Sequence, residues 1–167
     1  MVAKVIWATG ERDGAAISER ALRGVGGLAA LGLGEADVVA IMLRNEIAFL
    51  EAMLTARLAG CYSCPINWHY KADEAGFILR DCSAKALMVH ADLLRQIEGG
   101  VPAGVHVIVV EPPPSVRAAF RLSEAQCRVP FNIDATYAAI RRSRTDSPDG
   151  AASTTLYRRK RSITRSG

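Results

Sequence analysis

The sequence predicts an α/β domain in which alternating strand and helix units form a mainly parallel sheet. Short apolar segments, rich in β-branched residues, alternate with longer segments of helical period from residue 18 to residue 110. Each helical segment is long enough for a right-handed crossover that brings the next strand parallel to its neighbour. The 167 residues, half of them hydrophobic, are enough for one aliphatic core without disulfides or metals.

The first helix is predicted to begin at Ser18, which is a suitable N-cap, and to stop at Gly32 or Gly34. The segment DVVAIML at residues 37–43 follows and is apolar along almost its whole length. Such a segment is typical of a strand that is buried on both faces of a parallel sheet. These two segments supply the first helix and the first strand of the predicted sheet.

A second helix is predicted from Glu46 to Ala59, with Asn45 as its cap and Gly60 at its end. Four aliphatic side chains of this segment recur at helical spacing. We expect them to form the apolar stripe of the helix: Ile47, Leu50, Leu54 and Leu58.

The alternation continues through three strands and two helices. In chain order these are CYSCPI (61–66), ADEAGFILRDC (72–82), KALMV (85–89), ADLLRQI (91–97) and VHVIVV (105–110). Beyond residue 110 the pattern weakens, because EPPPS is a rigid extended break and residues 136–142 offer at most a short helix. We predict a partial α/β domain over residues 1–140 and a basic, disordered or out-of-frame tail over residues 141–167.

Charge is concentrated in that tail. The net charge of the chain is +4, whereas residues 141–167 carry eight basic and two acidic side chains, or +6. Residues 1–140 therefore carry −2. A body of this charge has no electrostatic footprint for nucleic acid, so we expect no specific nucleic-acid partner for the domain.

The N-terminal residues contain no apolar core of signal-peptide length before Gly10 and Glu11. The longest aliphatic run, residues 38–43, is far too short to span a bilayer. We therefore expect a cytoplasmic chain without a membrane span. Its cysteines are then expected to be free thiols: Cys61, Cys64, Cys82 and Cys127.

Cys61 and Cys64 have the spacing of half a zinc site, and His69 follows nearby. A second cysteine pair at that spacing does not follow, so the pattern argues against a metal. A thioredoxin-like redox pair needs a thiolate at a helix N-terminus, whereas these cysteines lie in a predicted strand. We interpret both as small apolar side chains in a strand, with metal binding and redox chemistry as the less favoured alternatives.

Gly24 to Ala29 match the letters of the dinucleotide-binding fingerprint. That fingerprint requires a strand immediately upstream, but the preceding residues are polar and already helical in period. We interpret the glycines as helix residues. The run RRKR at residues 158–161 is typical of a solvated tail.

His69 and His90 are candidate acid–base groups, but neither has a partner that the sequence identifies. Asp73 and Glu74 are interpreted as first-turn residues of a helix, where the macrodipole favours them. The residues alone therefore assign no catalytic group and no metal ligand, and they leave the cofactor-binding residues unknown.

Two segments carry a resemblance to a known family: GLGEADVVAIMLRN at residues 32–45 and AGCYSCPINWHYKADEAGFILRDCSAKAL at residues 59–87. From about residue 16 to residue 110 the chain resembles the N-terminal region of the AMP-forming acyl-CoA synthetases, of the fatty-acid CoA ligase type. The resemblance implies that the sheet is an incomplete part of the large N-terminal domain of that family. It also implies that CYSC is a buried strand that binds no metal. Ala36 stands where the family usually has glycine.

The family converts a carboxylic or fatty acid to acyl-AMP and then to acyl-CoA, and it uses ATP, Mg and CoA. Residues 153–157 resemble the strand that leads into the family's phosphate loop, but RRKRSITRSG follows instead of consecutive small residues. The family's later adenylate motifs and its catalytic Lys do not occur in this sequence. We therefore expect a truncated or frame-shifted synthetase that is inactive as an isolated chain and holds no cofactor by itself.

The alternative function comes from another class: a non-catalytic α/β binding or interaction module whose basic tail contacts a polyanion or a partner chain. Truncation within the domain also predicts self-association, because it would expose apolar helix faces and a strand edge such as VHVIVV. The acyl substrate stays open, because Trp68 and His69 cannot be assigned to an acyl pocket.

Overall fold

The computed structural model describes residues 4–7, 10–128 and 135–136. Its strands in chain order are β1 Lys4–Trp7, β2 Gly10–Asp13, β3 Val38–Met42, β4 Tyr62–Pro65, β5 Ala86–His90, β6 His106–Val110 and β7 Ala135–Thr136. Strands β1 and β2 form an antiparallel hairpin. The other five form a sheet in the order β4-β3-β5-β6-β7, and each neighbouring pair is parallel. The predicted α/β fold class is confirmed.

Helices cover both faces of this sheet. They are α1 Gly14–Ala30, α2 Ile47–Leu58, α3 Ala72–Asp81, α4 Ala91–Ile97, α5 Pro114–Phe120 and α6 Glu124–Cys127. On one face, α1 and α2 pack against alternate strand residues such as Ile41 and Met88. On the other face, α3 and α4 pack against the residues in between, such as Met42 and Leu87. Strands buried on both faces explain why their sequences are continuously apolar.

The first helix begins at Gly14, ahead of Ser18, the N-cap that the sequence predicts. Asp13 is the N-cap, and its carboxylate accepts a hydrogen bond of 2.7 Å from the backbone N of Ala15. Ser18 lies inside the helix, where its hydroxyl donates to the carbonyl of Gly14. The predicted stop is confirmed, because α1 ends at Ala30 and Gly32 follows with φ of +79°.

The apolar stripe predicted for α2 is wrong. Of its four members only Ile47 is buried, whereas Leu50 and Leu58 are exposed. The side that faces the core carries three alanines and Thr55 together with the ion-paired Glu51: Ala48, Glu51, Ala52, Thr55 and Ala56. The cause is the close approach of α1, since a Cβ built on Gly24 would lie only 2.7 Å from Cγ2 of Thr55. Leucine side chains do not fit at such a contact.

Three expectations about the region after β5 are corrected. VHVIVV is not a sheet edge, because β6 pairs with β5 on one side and with β7 on the other. Residues 135–136 pair with Ile108 and Val109 in this way, so Thr136 belongs to a strand rather than to a short helix. The extended break in EPPPS ends early, because Pro114 is already the first residue of α5. The tail over residues 141–167 lies outside the described residues.

Candidate functional site

The order of the sheet reverses between β3 and β5. The chain runs from β3 to β4 on one side and then crosses back to β5 and β6 on the other. At such a switch point, the loops after neighbouring strands separate and leave a crevice at the carboxyl edge, where open α/β sheets bind ligands. The residues at and just beyond the ends of β3 and β5 therefore define the candidate site: Arg44, Glu46, His90 and Asp92.

Arg44 and Asp92 form a bidentate ion pair across this edge. The two terminal nitrogens of Arg44 donate to the two carboxylate oxygens of Asp92 at 3.0 and 2.6 Å. The side chains are only 6% and 2% exposed, so neither charge is well solvated. In a poorly solvated site such a fork-to-fork pair fixes the direction of both side chains.

His90 and Glu46 form a second polar contact beside that pair. The backbone N of Arg44 donates to Nδ1 of His90 at 3.4 Å, and Nε2 of His90 lies 3.2 Å from Oε1 of Glu46. With Nδ1 as the acceptor of this hydrogen bond, Nε2 is the ring nitrogen that faces the carboxylate of Glu46. The other oxygen of Glu46 accepts from the backbone N of Ala48 and caps α2.

Aromatic rings enclose the outer side of Arg44. The guanidinium carbon lies 4.3 Å from the ring centre of Phe120 and 5.3 Å from that of Trp68. Both distances allow cation–π attraction. Trp68 also meets Phe120 edge to face at 5.3 Å and stacks on His69 at 3.6 Å. The end of α5 and the turn after β4 thus both rest on one arginine.

The polar cluster holds loops and helix ends in position and supplies no reactive side chain. Each of the four polar side chains is at least nine-tenths buried and has a partner within the cluster. In the part of the chain that the structure describes, Nε of Arg44 has no hydrogen-bond partner. A rigid, internally paired edge of this kind holds loops and helix ends in place, but it offers no nucleophile with an adjacent base.

An apolar groove of about 270 Å³ opens next to this edge, between β1 and the start of α2. Its lining includes Val5, Ile47 and Phe49, and it reaches Glu46. Glu46 therefore lies between the groove and the buried His90.

The two cysteines of CYSC do not face each other. Cys61 is buried in the core cluster under α1 and α2, and its thiol lies 3.1 Å from the carbonyl of Gly34. Cys64 is half-buried, at the edge of the sheet in β4. Among the described residues, no group of three or more His, Cys, Asp or Glu side chains could hold a metal ion.

Burial changes the pKa values of three cysteine thiols. Burial raises the pKa of Cys61, with a smaller contribution from Asp37, and it also raises the pKa of Cys127. Burial raises the pKa of Cys64 to about 11, and the neighbouring Cys82 contributes to that rise. Protonated thiols are poor nucleophiles, so these cysteines have the character of core residues at neutral pH.

The remaining sequence candidates have structural positions. Gly24 to Ala29 lie within α1, as predicted, and Gly24 permits the contact with α2. His69 is exposed on Trp68 and is not joined to His90. Asp73 and Glu74 lie in the first turn of α3, where Glu74 accepts from the backbone N of Lys71 at 2.9 Å.

Sequence reasoning missed the cluster around Arg44. The only available signal was positional, because Arg44 and Asp92 each closely follow a predicted buried strand. Parallel strands bring such positions to one edge, but the order of strands decides which of them become neighbours. The pairing of β3 with β5 was therefore needed to place Asp92 beside Arg44.

The family model described as "AMP-binding enzyme" matches residues 12–152. This chain belongs to the AMP-binding enzyme family. A medium/long-chain-fatty-acid–CoA ligase of Mycobacterium tuberculosis is 36% identical over 70 residues, which is 42% of this chain and 12% of that ligase. A plipastatin synthase protein of Bacillus subtilis is 32% identical over 66 residues, which is 40% of this chain and 3% of that synthase protein.

Solved structures of family members share the fold. A benzoate CoA ligase from Burkholderia xenovorans matches with a TM-score of 0.60 and 24% identity, over 64% of this chain and 22% of the ligase. An anthranilate CoA ligase in complex with anthranoyl-AMP matches with a TM-score of 0.57 and 25% identity, over 68% of this chain and 23% of the ligase. The predicted resemblance to acyl-CoA synthetases is confirmed. The chain spans less than a quarter of each of these four relatives.

No helix among the described residues is long and apolar enough to cross a membrane.

Proposed function

We propose that this chain is part of an ATP-dependent acyl-CoA synthetase that acts in the cytoplasm on a carboxylic acid of the fatty-acid class. The reaction joins the acid to AMP, with release of pyrophosphate, and then transfers the acyl group to CoA. The observation that carries the proposal is the family match over residues 12–152. The fatty-acid–CoA ligase named above supports the substrate class.

Within such an enzyme, the chain supplies a rigid scaffold. The paired charges at the carboxyl edge fix the ends of β3 and β5 and hold α5 through Phe120. Electrostatic catalysis requires donors that are already in place when charge develops, so a scaffold of this kind contributes to catalysis through positioning.

Alone, the 167 residues do not catalyse the reaction under this proposal. The described polar cluster is engaged with itself, and RRKRSITRSG follows residues 153–157 in place of the consecutive small residues that would bring backbone N–H groups to the phosphates of ATP. ATP, Mg and CoA are therefore assigned to the complete synthetase, and this chain by itself holds none of them.

A segment exchange tests the proposal. In a fatty-acid–CoA ligase of this family, the segment equivalent to residues 12–128 is replaced by residues 12–128 of this chain. We expect pyrophosphate release that depends on the fatty acid, followed by acyl-CoA formation. The matched control carries Asp92→Asn in the exchanged segment and is expected to be less active or less stable. A soluble, folded exchange protein without fatty-acid-dependent turnover contradicts the proposal.

The isolated chain provides a separate test. We expect no acyl-AMP formation above background with a panel of fatty and aromatic acids. Turnover by the isolated chain would show that it is catalytically self-sufficient and would contradict the assignment as a scaffold.

A second candidate is a non-catalytic interaction module. The observation that favours it is the charge of +6 on residues 141–167 beside −2 on the rest of the chain. This distribution predicts weak, salt-dependent binding to a polyanion such as RNA, and we expect that binding to vanish when the chain is shortened after residue 140. If the shortened chain binds RNA as well as the full chain does, this function is wrong.

Self-association is proposed for the isolated chain, because large apolar side chains reach the surface on several elements. Leu50 and Leu58 of α2, Phe77 of α3 and Tyr62 of the edge strand β4 are each more than 40% exposed. Such surface favours association and the binding of hydrophobic dyes. Size-exclusion chromatography with thermal unfolding tests it, and a monomer with one cooperative transition contradicts it.

A further inference from the structure

A second groove, of about 500 Å³, opens on the outer side of α3. The helix buries Ala75 and Leu79, whereas the groove has apolar and acidic side chains in its lining: Tyr70, Asp73, Glu74, Phe77 and Ile78. The ring of Phe77 is 63% exposed, and both carboxylates are exposed as well. An exposed apolar patch with a polar rim has the composition of a binding surface.

The carboxylates of this groove are not neutralised by the domain. Among the described residues, no lysine, arginine or histidine forms an ion pair with Asp73 or Glu74. Glu74 accepts a hydrogen bond from the backbone N of Lys71 at 2.9 Å. Lys71 contributes one positive charge to the same turn, so the three side chains sum to −1. The groove therefore favours a cationic partner.

The chain continues from the sheet at the same edge where α3 begins. Strand β7 is parallel to the others, so residue 137 follows its carboxyl end, and α3 starts beyond the carboxyl end of β4. The strand order separates β7 from β4 by four spacings of about 4.8 Å, or about 19 Å. Even an unstructured chain spans about 25 Å over the 22 positions from Thr136 to Arg158. A segment that begins at residue 158 can therefore reach the groove.

Residues 158–163 read RRKRSI, which is four consecutive cations followed shortly by an apolar side chain. They lie beyond residues 12–152, which the family model matches. Arginine pairs with carboxylates through its planar fork and also stacks on aromatic rings. The groove presents both kinds of partner, in its two carboxylates and in the rings of Tyr70 and Phe77. The basic run and the groove are thus complementary in charge and in chemistry.

We propose that the groove beside α3 binds residues 158–163 of the same chain, with the arginines paired to Asp73 and Glu74 and Ile163 against Phe77. The contact would cover the exposed ring and neutralise part of the charge of the basic tail. It would also withdraw the basic run from a polyanion, so that folding back and RNA binding compete. This inference is independent of the proposed ligase activity.

Zero-length cross-linking of the full chain tests the contact. A water-soluble carbodiimide joins a carboxylate to a lysine amine when the two are in contact, and Lys160 is the one lysine within residues 158–163. Trypsin releases Asp73 and Glu74 together in the peptide 72–80. The expected product is therefore this peptide joined to the dipeptide 160–161.

Glu124 provides an internal reference in the same reaction. It is exposed and lies 36 positions from Lys160, whereas Asp73 lies 87 positions away. An undocked tail would link to Glu124 about four times as often as to Asp73, because contact probability falls with about the 3/2 power of loop length. We expect the reverse, with the peptide 72–80 linked about fivefold more often than the peptide of Glu124. Linkage to Glu124 that equals or exceeds linkage to the peptide 72–80 overturns the proposal.

A variant of the groove keeps both carboxylates. Phe77→Ser is expected to lower the linked product about threefold or more, because the arginines lose a stacking partner. Leu58→Ser is the matched control, since Leu58 is 45% exposed on α2, outside the groove, and the yield should stay unchanged. A folded Phe77→Ser chain with the wild-type yield overturns the proposal. If circular dichroism shows that this variant unfolds, the wild-type ratio to Glu124 decides.

Two double variants of the tail keep Lys160. Arg158→Gln with Arg159→Gln is expected to lower the product about threefold or more. Arg141→Gln with Arg142→Gln removes the same charge outside the docked segment and should leave the yield unchanged. Equal losses in both would show that net charge alone acts, which overturns the proposal.

An isotope mixture distinguishes the same chain from a second copy. Unlabelled and ¹⁵N-labelled chains are mixed in equal amounts before cross-linking, and we expect both peptides of each product to carry the same label. Products of mixed label would show that the groove holds the tail of a second copy and would overturn the proposal.

Discussion

Two buried carboxylates in this domain are neutralised in different ways. Asp92 is paired with Arg44, and both side chains are almost completely buried. Glu51 is also completely buried, but it is paired with Arg12 and Arg20, whose side chains are 30% and 34% exposed. Asp92 is thus paired with a buried arginine, whereas the described arginine partners of Glu51 both keep contact with water.

The two ion clusters also connect different parts of the fold. The Arg44–Asp92 pair joins the ends of β3 and β5 in the centre of the sheet. Glu51 joins α2 to α1 and to the N-terminal hairpin, with Arg12 of that hairpin at 2.6 Å. A cluster with spare partners tolerates the loss of one, while a single buried pair does not. This difference leads to a graded set of predictions.

The largest effect is expected at the central pair. Asp92→Leu leaves the Arg44 charge buried without a partner, and Arg44→Met does the same for Asp92. Each single change is expected to cost about 3–5 kcal/mol of unfolding free energy, or to unfold the chain. The double variant is expected to recover most of that loss, because two apolar side chains replace both charges. Urea denaturation measures it, and a double variant as unstable as the sum of the singles would contradict the comparison.

An intermediate effect is expected for Glu51→Gln. The charge is lost, but the amide keeps an acceptor, and Arg12 and Arg20 can turn further into water. We expect a cost of about 1–3 kcal/mol in the same denaturation measurement. Glu11→Gln is the matched control, because Glu11 pairs with Lys4 on the surface and its loss should leave the midpoint unchanged. A loss of unfolding free energy as large as that of Asp92→Leu would show that partly exposed partners do not reduce the cost of removing the carboxylate.

A smaller effect is expected when Glu51 loses one partner at a time. Arg12→Gln and Arg20→Gln are each expected to cost less than about 1 kcal/mol, since the remaining arginine still neutralises the carboxylate. The double change should cost more than the sum of the two, because only then is Glu51 left without an arginine partner. Strict additivity would mean that the two arginines do not share the charge.

The smallest effect concerns salt. Raising the ionic strength about tenfold is expected to weaken the contribution of Arg12 and Arg20 by a few tenths of a kcal/mol, because solvent ions reach partly exposed charges. The coupling of Arg44 to Asp92 should stay constant, since that pair is shielded from solvent. Double-mutant cycles at low and high salt measure both. Equal salt dependence in the two clusters would contradict the difference in exposure.

Much of the fold could be predicted from local patterns. The strands from Val38 to Val110 and the helices between them occur where the hydrophobic periodicity predicts them. Each of these patterns depends only on residues that are close together in the sequence. The face of α2 could not be predicted in this way. That helix is apolar on several sides, and the approach of α1 at Gly24 selects alanine and threonine for the contact.

The candidate site required information that no local pattern contains. Arg44 and Asp92 are 48 positions apart, and the strand order that joins them is a property of the whole sheet. Ala36 is a position where the structure explains a feature of the sequence pattern. The family resemblance points to glycine there, and the structure gives the reason, since Ala36 has φ of +65°, in the left-handed region that favours glycine.

The long separation of Arg44 from Asp92 along the chain affects the kinetics of folding and unfolding. Their contact closes a loop that contains α2, β4 and α3, so it is one of the non-local contacts of the domain, which we expect to form late in folding because long loops cost chain entropy. An interaction that forms after the folding barrier leaves the folding rate nearly unchanged and slows unfolding. The pair is therefore expected to lengthen the lifetime of the folded chain, and variants that break it should unfold faster while folding at nearly the same rate.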